Sequence, residues 1–133
     1  MISLPETKGS RVVQFIEKFC VHGEGDFYGQ PFKLDDCEKA IIYEIYEIKD
    51  NGERKYREAR VGVPKGNGKT ALASCIGLYE LLGSGVTSPL VAVAAASYEQ
   101  ASLVFGTMKT MCDESPFLRS MVDTFQNEIQ VKD

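Results

Sequence analysis

The stretch VPKGNGKTALAS, from Val63 to Ser74, decides how the rest of this chain of 133 residues is interpreted. A phosphate-binding loop follows the pattern G-x-x-x-x-G-K-[ST], which places a glycine five residues before Gly68. Val63 occupies that position here, whereas Gly68, Lys69 and Thr70 satisfy the rest of the pattern. Two interpretations follow: a nucleotide site with a variant loop, or a glycine turn that carries GKT by chance.

The segments on either side of this loop predict a strand before it and a helix after it. YREARVGV, residues 56–63, enters the loop as a predicted strand, and residues 69–82 are apolar nearly all round, as in a buried helix. PLVAVAAAS, residues 89–97, is a short continuous apolar run, which is typical of a strand buried on both faces of a parallel sheet. The order is therefore strand, glycine-rich loop, helix and strand.

A second predicted helix completes this unit. It follows Ser97 and Gln100, whose spacing resembles a capping box. Alternating strands and helices predict an α/β fold with a parallel sheet and flanking helices. We expect residues 60–63 and 90–95 to lie side by side and parallel, joined by a right-handed crossover. Towards the C-terminus, SPFLRSMV predicts a short helix and NEIQVKD a strand.

Residues 1–55 are predicted to be mainly helical. A first helix is expected after Ser10, its predicted cap, because apolar side chains follow at helical spacing. These side chains are Val12, Phe15, Ile16 and Phe19. A loop rich in glycine and aromatic residues, 21–34, leads to Asp35 and Glu38, whose spacing is that of a capping box before a second helix.

The composition is that of an ordinary globular protein, with 44% hydrophobic and 26% charged residues. A net charge of −4 argues against a protein that coats nucleic acid by bulk attraction. The basic run ERKYREAR, residues 53–60, is interpreted as a solvated strand edge rather than a nucleic-acid contact, because acidic residues dilute it. No apolar run approaches the roughly 18 residues of a membrane helix, and no signal peptide is recognised, so we expect a cytoplasmic protein.

The cysteines give no sign of a metal site. All 4 lie far apart without a C-x-x-C pair, and His22 is the one histidine in the sequence. Cys20 and His22 would need further ligands from elsewhere, and none is evident. Buried, reduced thiols are expected instead.

The residues of the loop suit a phosphate ligand in this context. Gly66 and Gly68 flank Asn67, and neither has a side chain that would block a close anion. A helix that starts after the loop presents free N–H groups and its positive dipole end. Lys69 can reach the β- and γ-phosphates, and the hydroxyl of Thr70 can ligate Mg²⁺. The alternative remains a simple turn between strand and helix.

Several ordered segments resemble the N-terminal part of the large terminase subunit of tailed bacteriophages, the ATPase that drives DNA into capsids. They are GSRVVQFIEKFCVHGEGDFYGQPFKLDD, DNGERKYREARVGVPKGNGKTALAS and AVAAASYEQASLVF. That family has a variant loop with a basic residue at the position of Lys65, followed by G-K-[ST]. The resemblance covers most of the chain. It implies a P-loop NTPase-like fold, ATP and Mg²⁺ as cofactors, and ATP hydrolysis.

The resemblance also implies roles for individual residues. Gln30, in GQPF, corresponds to an adenine-recognising glutamine, and a primary amide offers one donor and one acceptor for the N6 and N7 of adenine. Lys65 corresponds to the residue thought to contact the γ-phosphate, and with Lys69 it forms the expected catalytic pair. Without the resemblance, a solvated loop glutamine is the better explanation of Gln30, whereas a solvated loop lysine explains Lys65 equally well. The rest of the expected nucleotide site is Gly66, Asn67, Gly68, Lys69, Thr70 and Ala71, with Thr70 as the metal ligand.

The partners implied by the resemblance are double-stranded phage DNA, the portal protein and the small terminase subunit, all in the host cytoplasm. Residues 1–55 would form a helical segment on the adenine side, and residues 56–133 the P-loop core. A sheet of two or three strands would expose a strand edge and an apolar face, so self-association is also expected.

The sequence departs from the family in one important respect. A Walker B strand, an apolar run followed by Asp-Glu, is missing, since Asp113 and Glu114 follow a predicted helix. The nuclease domain is missing as well. We therefore expect the N-terminal portion of the ATPase domain, from a truncated gene or a cut piece, with negligible hydrolysis. Two alternatives remain: a nucleotide-binding or protein-interaction fragment without hydrolysis, and a P-loop small-molecule kinase, which would normally keep the first glycine.

Overall fold

The computed structural model describes residues 6–23, 25–62 and 69–132. Within these ranges the chain forms helices α1 to α5 and a small sheet of strands β1 and β2. The helices are α1 (Gly9–Phe19), α2 (Asp36–Ile45), α3 (Lys69–Leu82), α4 (Tyr98–Glu114) and α5 (Pro116–Met121). The strands are β1 (Val122–Thr124) and β2 (Ile129–Val131).

Local capping sequences set the start of three helices. Asp35 caps α2 through a complete capping box, since its Oδ1 accepts from the N–H of Glu38 at 2.7 Å and its N–H donates to Glu38 Oε1 at 3.0 Å. Ser97 caps α4 by accepting from the N–H of Gln100 at 3.2 Å. Ser115 caps α5. The predicted caps of α2 and α4 are therefore confirmed.

The predicted cap of α1 is wrong. The helix begins at Gly9, so Ser10 lies inside its first turn, and Lys8 is the capping residue. Thr7 Oγ1 accepts from the N–H of Gly9 at 3.0 Å and donates to the carbonyl of Tyr43 at 2.6 Å. A Cβ at Gly9 would lie 2.7 Å from Cα of Tyr43, so the close approach of α2 fixes where α1 starts.

The core lies where α3 packs on α4 and α1. Ser74 Oγ contacts the carbonyl of Val104 at 3.3 Å, and a Cβ at Gly77 would lie 3.0 Å from Met108 Cε. From Ser74 to Gly77 on α3, the contacted residue on α4 moves forward from Val104 to Met108. The two helices therefore run parallel. The side chains with no exposed surface include Val12, Ile16, Ile42, Cys75, Leu78, Met111, Cys112 and Leu118.

The α/β class is confirmed, but the described residues contain no parallel sheet. Strands β1 and β2 form an antiparallel ladder, in which Val122 pairs with Val131 and Thr124 with Ile129. The sequence predicts a strand within NEIQVKD, which contains β2, but none at β1. The described residues of the two expected strands, 56–62 and 89–97, form neither a ladder nor a helix. A buried parallel strand needs neighbours on both edges and helices on both faces, and most of these residues are exposed.

Two smaller expectations can also be compared with the structure. Cys20, Cys75 and Cys112 are buried and free, but Cys37 is exposed, so the expectation of buried thiols is wrong at that position. Cys37 lies in the first turn of α2, and this part of the helix faces solvent. Across the part of the chain that the structure describes, no helix combines the length and apolar character needed to cross a membrane.

Candidate functional site

The N-terminus of α3 is the centre of the candidate site. The helix begins at Lys69, and this lysine is exposed, whereas Thr70 and Ala71 are half-buried. The first N–H groups of an α-helix have no partner within the helix, and the dipole adds partial positive charge at the same end. The described part of the helix starts at Lys69, and residues 63–68 before it lie outside the described ranges, so the predicted start stays a prediction. An anion could therefore be bound by backbone N–H groups together with the Lys69 ammonium group.

Ser74 holds this end of the helix in place. Its side chain is fully buried, and its Oγ donates to the carbonyl of Thr70 at 2.8 Å while lying 3.3 Å from the carbonyl of Val104. The neighbours Leu72 and Cys75 are also buried. The first two turns of α3 are thereby fixed against α4. Sequence analysis missed Ser74, and its only signal was a hydroxyl four residues after Thr70 on an otherwise apolar face.

The glycine-rich part of the predicted loop lies outside the described residues. Lys65, Gly66, Asn67 and Gly68 therefore stay predictions, because only Lys69, Thr70 and Ala71 of the expected loop are described. The chain enters the loop along residues 56–62. Tyr56 and residues 58–62, with Cys37 and Ile41 of α2, line an open groove of about 430 Å³.

Gln30 lies in the loop between α1 and α2. Its N–H donates to the carbonyl of Phe27 at 2.9 Å, and its carbonyl accepts from the N–H of His22 at 2.9 Å. Its side chain is exposed and has no hydrogen-bond partner among the described residues. The backbone is therefore fixed while the amide is free. Among the described residues, no hydrogen bond joins Gln30 to Lys69 or Thr70.

Aromatic rings support the loop that carries Gln30. His22 stacks on the buried ring of Phe32 with 4.5 Å between centroids, and Phe27 lies 5.6 Å from His22 at a tilted angle. Phe27 is 61% exposed, so one ring of this cluster is open to a ligand. The loop thus contains packed aromatic rings together with the exposed amide of Gln30.

Asp113 and Glu114 lie at the C-terminal end of α4, as expected. Glu114 Oε1 accepts a hydrogen bond of 2.7 Å from the hydroxyl of Tyr28, and this bond raises the pKa of the Tyr28 hydroxyl. Ser74 of α3 is level with Val104, and Glu114 is ten residues further along the parallel helix. At 1.5 Å per residue, Glu114 is about 15 Å along the axis from that level, away from the start of α3.

A polar cluster at the other end of α3 was not found from the sequence. Glu80 accepts from the hydroxyl of Tyr46 at 2.5 Å and from Nη2 of Arg54 at 2.9 and 3.0 Å. Burial and the Glu80 hydrogen bond raise the pKa of the Tyr46 hydroxyl above its ordinary value. This cluster ties the turn before the loop to the helix after it. Its members are far apart in the sequence, so no local pattern indicates it.

Comparisons with known proteins agree with one another. The model of the terminase large subunit ATPase-domain family matches residues 36–132. The large terminase subunit of Enterobacteria phage HK97 is 35% identical over 117 residues, which is 87% of this chain and 22% of that protein. The crystal structure of the HK97 large terminase matches with a TM-score of 0.75 and 29% identity, and it covers 95% of this chain. The chain thus spans about a quarter of the relatives that it matches, 25% in the case of the crystal structure.

Proposed function

The chain belongs to the family of the terminase large subunit ATPase domain, and on that basis we propose that it forms the ATP-binding part of a motor that packages viral DNA. The observation that carries this proposal is the start of α3 at Lys69, directly after the variant loop. The similarity to terminase sequences favours this function over a small-molecule kinase.

The residues at the start of α3 suit a phosphate ligand and its metal. Lys69 is exposed and carries a mobile positive charge, and the N–H groups of Thr70 and Ala71 belong to the first turn of the helix. The hydroxyl of Thr70 forms no hydrogen bond with the described residues, so it is available as an oxygen ligand. Bound Mg²⁺ would neutralise charge on the phosphates. Lys69 and Thr70 would orient them, and Gly66, Asn67, Gly68 and Lys65 would complete the loop.

The adenine is assigned to the loop that carries Gln30. Gln30 and Phe27 are joined by a backbone hydrogen bond and both side chains are exposed, which supports this assignment, because a base could stack on the ring while its edge meets the amide. Double-stranded DNA, a portal protein and a small terminase subunit remain the proposed partners. The proposed location is the host cytoplasm.

We also propose that residues 60–63 and 90–95 form parallel strands in the nucleotide-binding fold. The parallel course of α3 and α4 supports this, since the chain must return between them along residues 83–97. Val91 passes close to α3, where its Cγ1 would lie 3.7 Å from a Cβ at Gly77. That is the path of the second strand in a crossover unit.

The test of the proposed function is titration of the purified chain with Mg-ATP, with Lys69→Ala as the variant. Loss of a charge-assisted hydrogen bond is expected to weaken binding by about 1.5–3 kcal/mol. Lys18→Ala is the matched control, because Lys18 is an exposed lysine on α1. Equal affinity of the parent chain and Lys69→Ala would contradict the proposed site.

A further inference from the structure

A basic groove lies beside the turn that precedes the loop. Its volume is about 600 Å³, and it is lined by Lys49, Glu53, Arg54, Lys55, Tyr56 and Arg57. They include most of the basic run at residues 53–60, which the sequence alone indicated to be a solvated strand edge. The structure has no strand there. It gathers the cations around one concave surface instead.

Hydrogen bonds of the turn hold the floor of the groove. Lys49 N–H donates to the carbonyl of Glu53 at 2.8 Å, and Gly52 N–H donates to the carbonyl of Lys49 at 2.9 Å. Gly52 has φ +84°, which a residue with a Cβ rarely adopts. Asn51 Oδ1 accepts from the N–H of Glu53 at 3.0 Å. The turn is therefore a defined structure, which lowers the entropy cost of binding at its surface.

Two of the four cations are already paired. Arg54 binds both carboxylate oxygens of Glu80, and Lys55 Nζ lies 2.9 Å from Glu47 Oε2. These ion pairs anchor the segment to α3 and to Glu47, just after the end of α2, rather than leaving charge for a ligand. Lys49 and Arg57 are exposed, and neither forms an ion pair within the ranges that the structure describes. The unpaired cations of the groove are thus Lys49 and Arg57, which outnumber the one acidic residue of the lining, Glu53.

We propose that the basic groove contacts the phosphates of double-stranded DNA, with Lys49 and Arg57 as the contacting residues. This rests on the proposed packaging function, in which the motor acts on DNA. The charge is complementary to phosphate, and phosphate contacts carry no base information, which suits a motor that moves any sequence. The local excess of cations also contrasts with the net charge of −4 of the chain.

The test is fluorescence anisotropy of a short labelled DNA duplex over a series of salt concentrations. The variant is Lys49→Gln with Arg57→Gln, and both side chains are exposed, so the fold should be kept. Each phosphate contact contributes about one unit to the slope of log affinity against log salt, so the slope should fall by about two. Lys18→Gln with Arg119→Gln is the matched control, with the same charge change at exposed sites elsewhere.

The outcomes separate this inference from the proposed function. A weaker, less salt-dependent duplex affinity in the groove variant alone, with Mg-ATP affinity unchanged, would support a DNA contact. An unchanged slope, an equal change in the control, or no measurable duplex binding by the parent chain would overturn it. Equal competition by poly-glutamate of the same charge would also overturn the assignment to DNA. Failure of the proposed function would appear instead in the Mg-ATP titration with Lys69→Ala.

Discussion

The helical core and the segment 89–95 behave differently, although both are rich in apolar residues. Leu78 of α3 has no exposed surface, whereas Leu90, in the segment 89–95, is 92% exposed. A helix satisfies its backbone hydrogen bonds within itself, so α3 and α4 need only one another to be buried. A parallel strand depends on neighbouring strands for its hydrogen bonds. Side-chain character alone therefore fixes the helices but not the sheet.

The largest expected effect is the difference in stability loss between substitutions of Leu78 and Leu90. Leu78→Ala should lower the free energy of unfolding by about 2–5 kcal/mol, because it removes buried apolar atoms and leaves a cavity. Leu90→Ala should change it by no more than about 0.5 kcal/mol, as for other exposed sites. Urea denaturation of the two variants measures both. A large loss for Leu90→Ala would show that residues 89–95 are buried in solution, by a sheet or by a second copy of the chain.

The contrast between buried and exposed positions also predicts how stability depends on pH, through the cysteine thiols. Burial raises the pKa of the Cys112 thiol from 9.0 to about 12, so the folded state keeps its proton where the unfolded state loses it. Stability should be constant with respect to this group below pH 9.0 and fall as the pH rises towards about 12. In Cys112→Ala, the free energy of unfolding measured by denaturation should fall less steeply as the pH rises. Since the neighbouring Cys20 thiol and burial also raise the pKa of the Cys75 thiol, some slope should remain.

Cys37 provides the internal control for this experiment. It is the exposed thiol, so a thiol reagent should modify it rapidly in the folded chain, with the buried thiols reacting only after unfolding. Rapid reaction of more than one thiol under native conditions would contradict the burial of the core.

A smaller effect is expected in the loop that carries Gln30. Gln30→Ala should reduce the preference for ATP over GTP while leaving most of the affinity from the phosphates, because the amide would read the base edge. Competition titrations with both nucleotides measure the preference. If the parent chain binds ATP and GTP equally, the assigned role of Gln30 is wrong.

The smallest expected difference concerns hydrolysis. The chain and Lys69→Ala should release phosphate at indistinguishable rates, because hydrolysis needs a second metal anchor and a group that orients water. Asp113 and Glu114 lie at the far end of α4, where Glu114 is bound by Tyr28. Turnover clearly above that of Lys69→Ala would point to a missed carboxylate, and Glu114→Gln would be the first variant to examine.

Local signals in the sequence account for the parts of the fold that were predicted well. The capping box of Asp35 and Glu38 and the end of α3 depend on contacts within a few residues. The start of α1 could not be predicted, because it depends on the approach of Tyr43 from another helix. Strands at residues 56–62 and 89–95 were expected from composition. Strand pairing is a property of neighbours, which composition does not encode.

The candidate site likewise has residues that a local motif predicts and residues whose role depends on packing. Lys69 and Thr70 follow from a local motif, and the structure puts both in the first turn of α3. Ser74, which fixes that turn to α4, has a role only because Val104 comes close to it. The pairing of Arg54 with Glu80 spans two elements and likewise has no local signal. Motifs therefore indicate which residues meet a ligand, and packing decides which residues hold them.

The central claim is that nucleotide binds at the start of α3, and amide chemical shifts of the isotope-labelled chain test it most directly. On titration with Mg-ATP, the account predicts that the largest shifts occur at Lys69, Thr70, Ala71 and the glycines before them, with smaller shifts around Gln30. The same titration with Lys69→Ala should need much more nucleotide. Shifts concentrated at Glu114 or in the basic groove, with the first turn of α3 unaffected, would contradict the account.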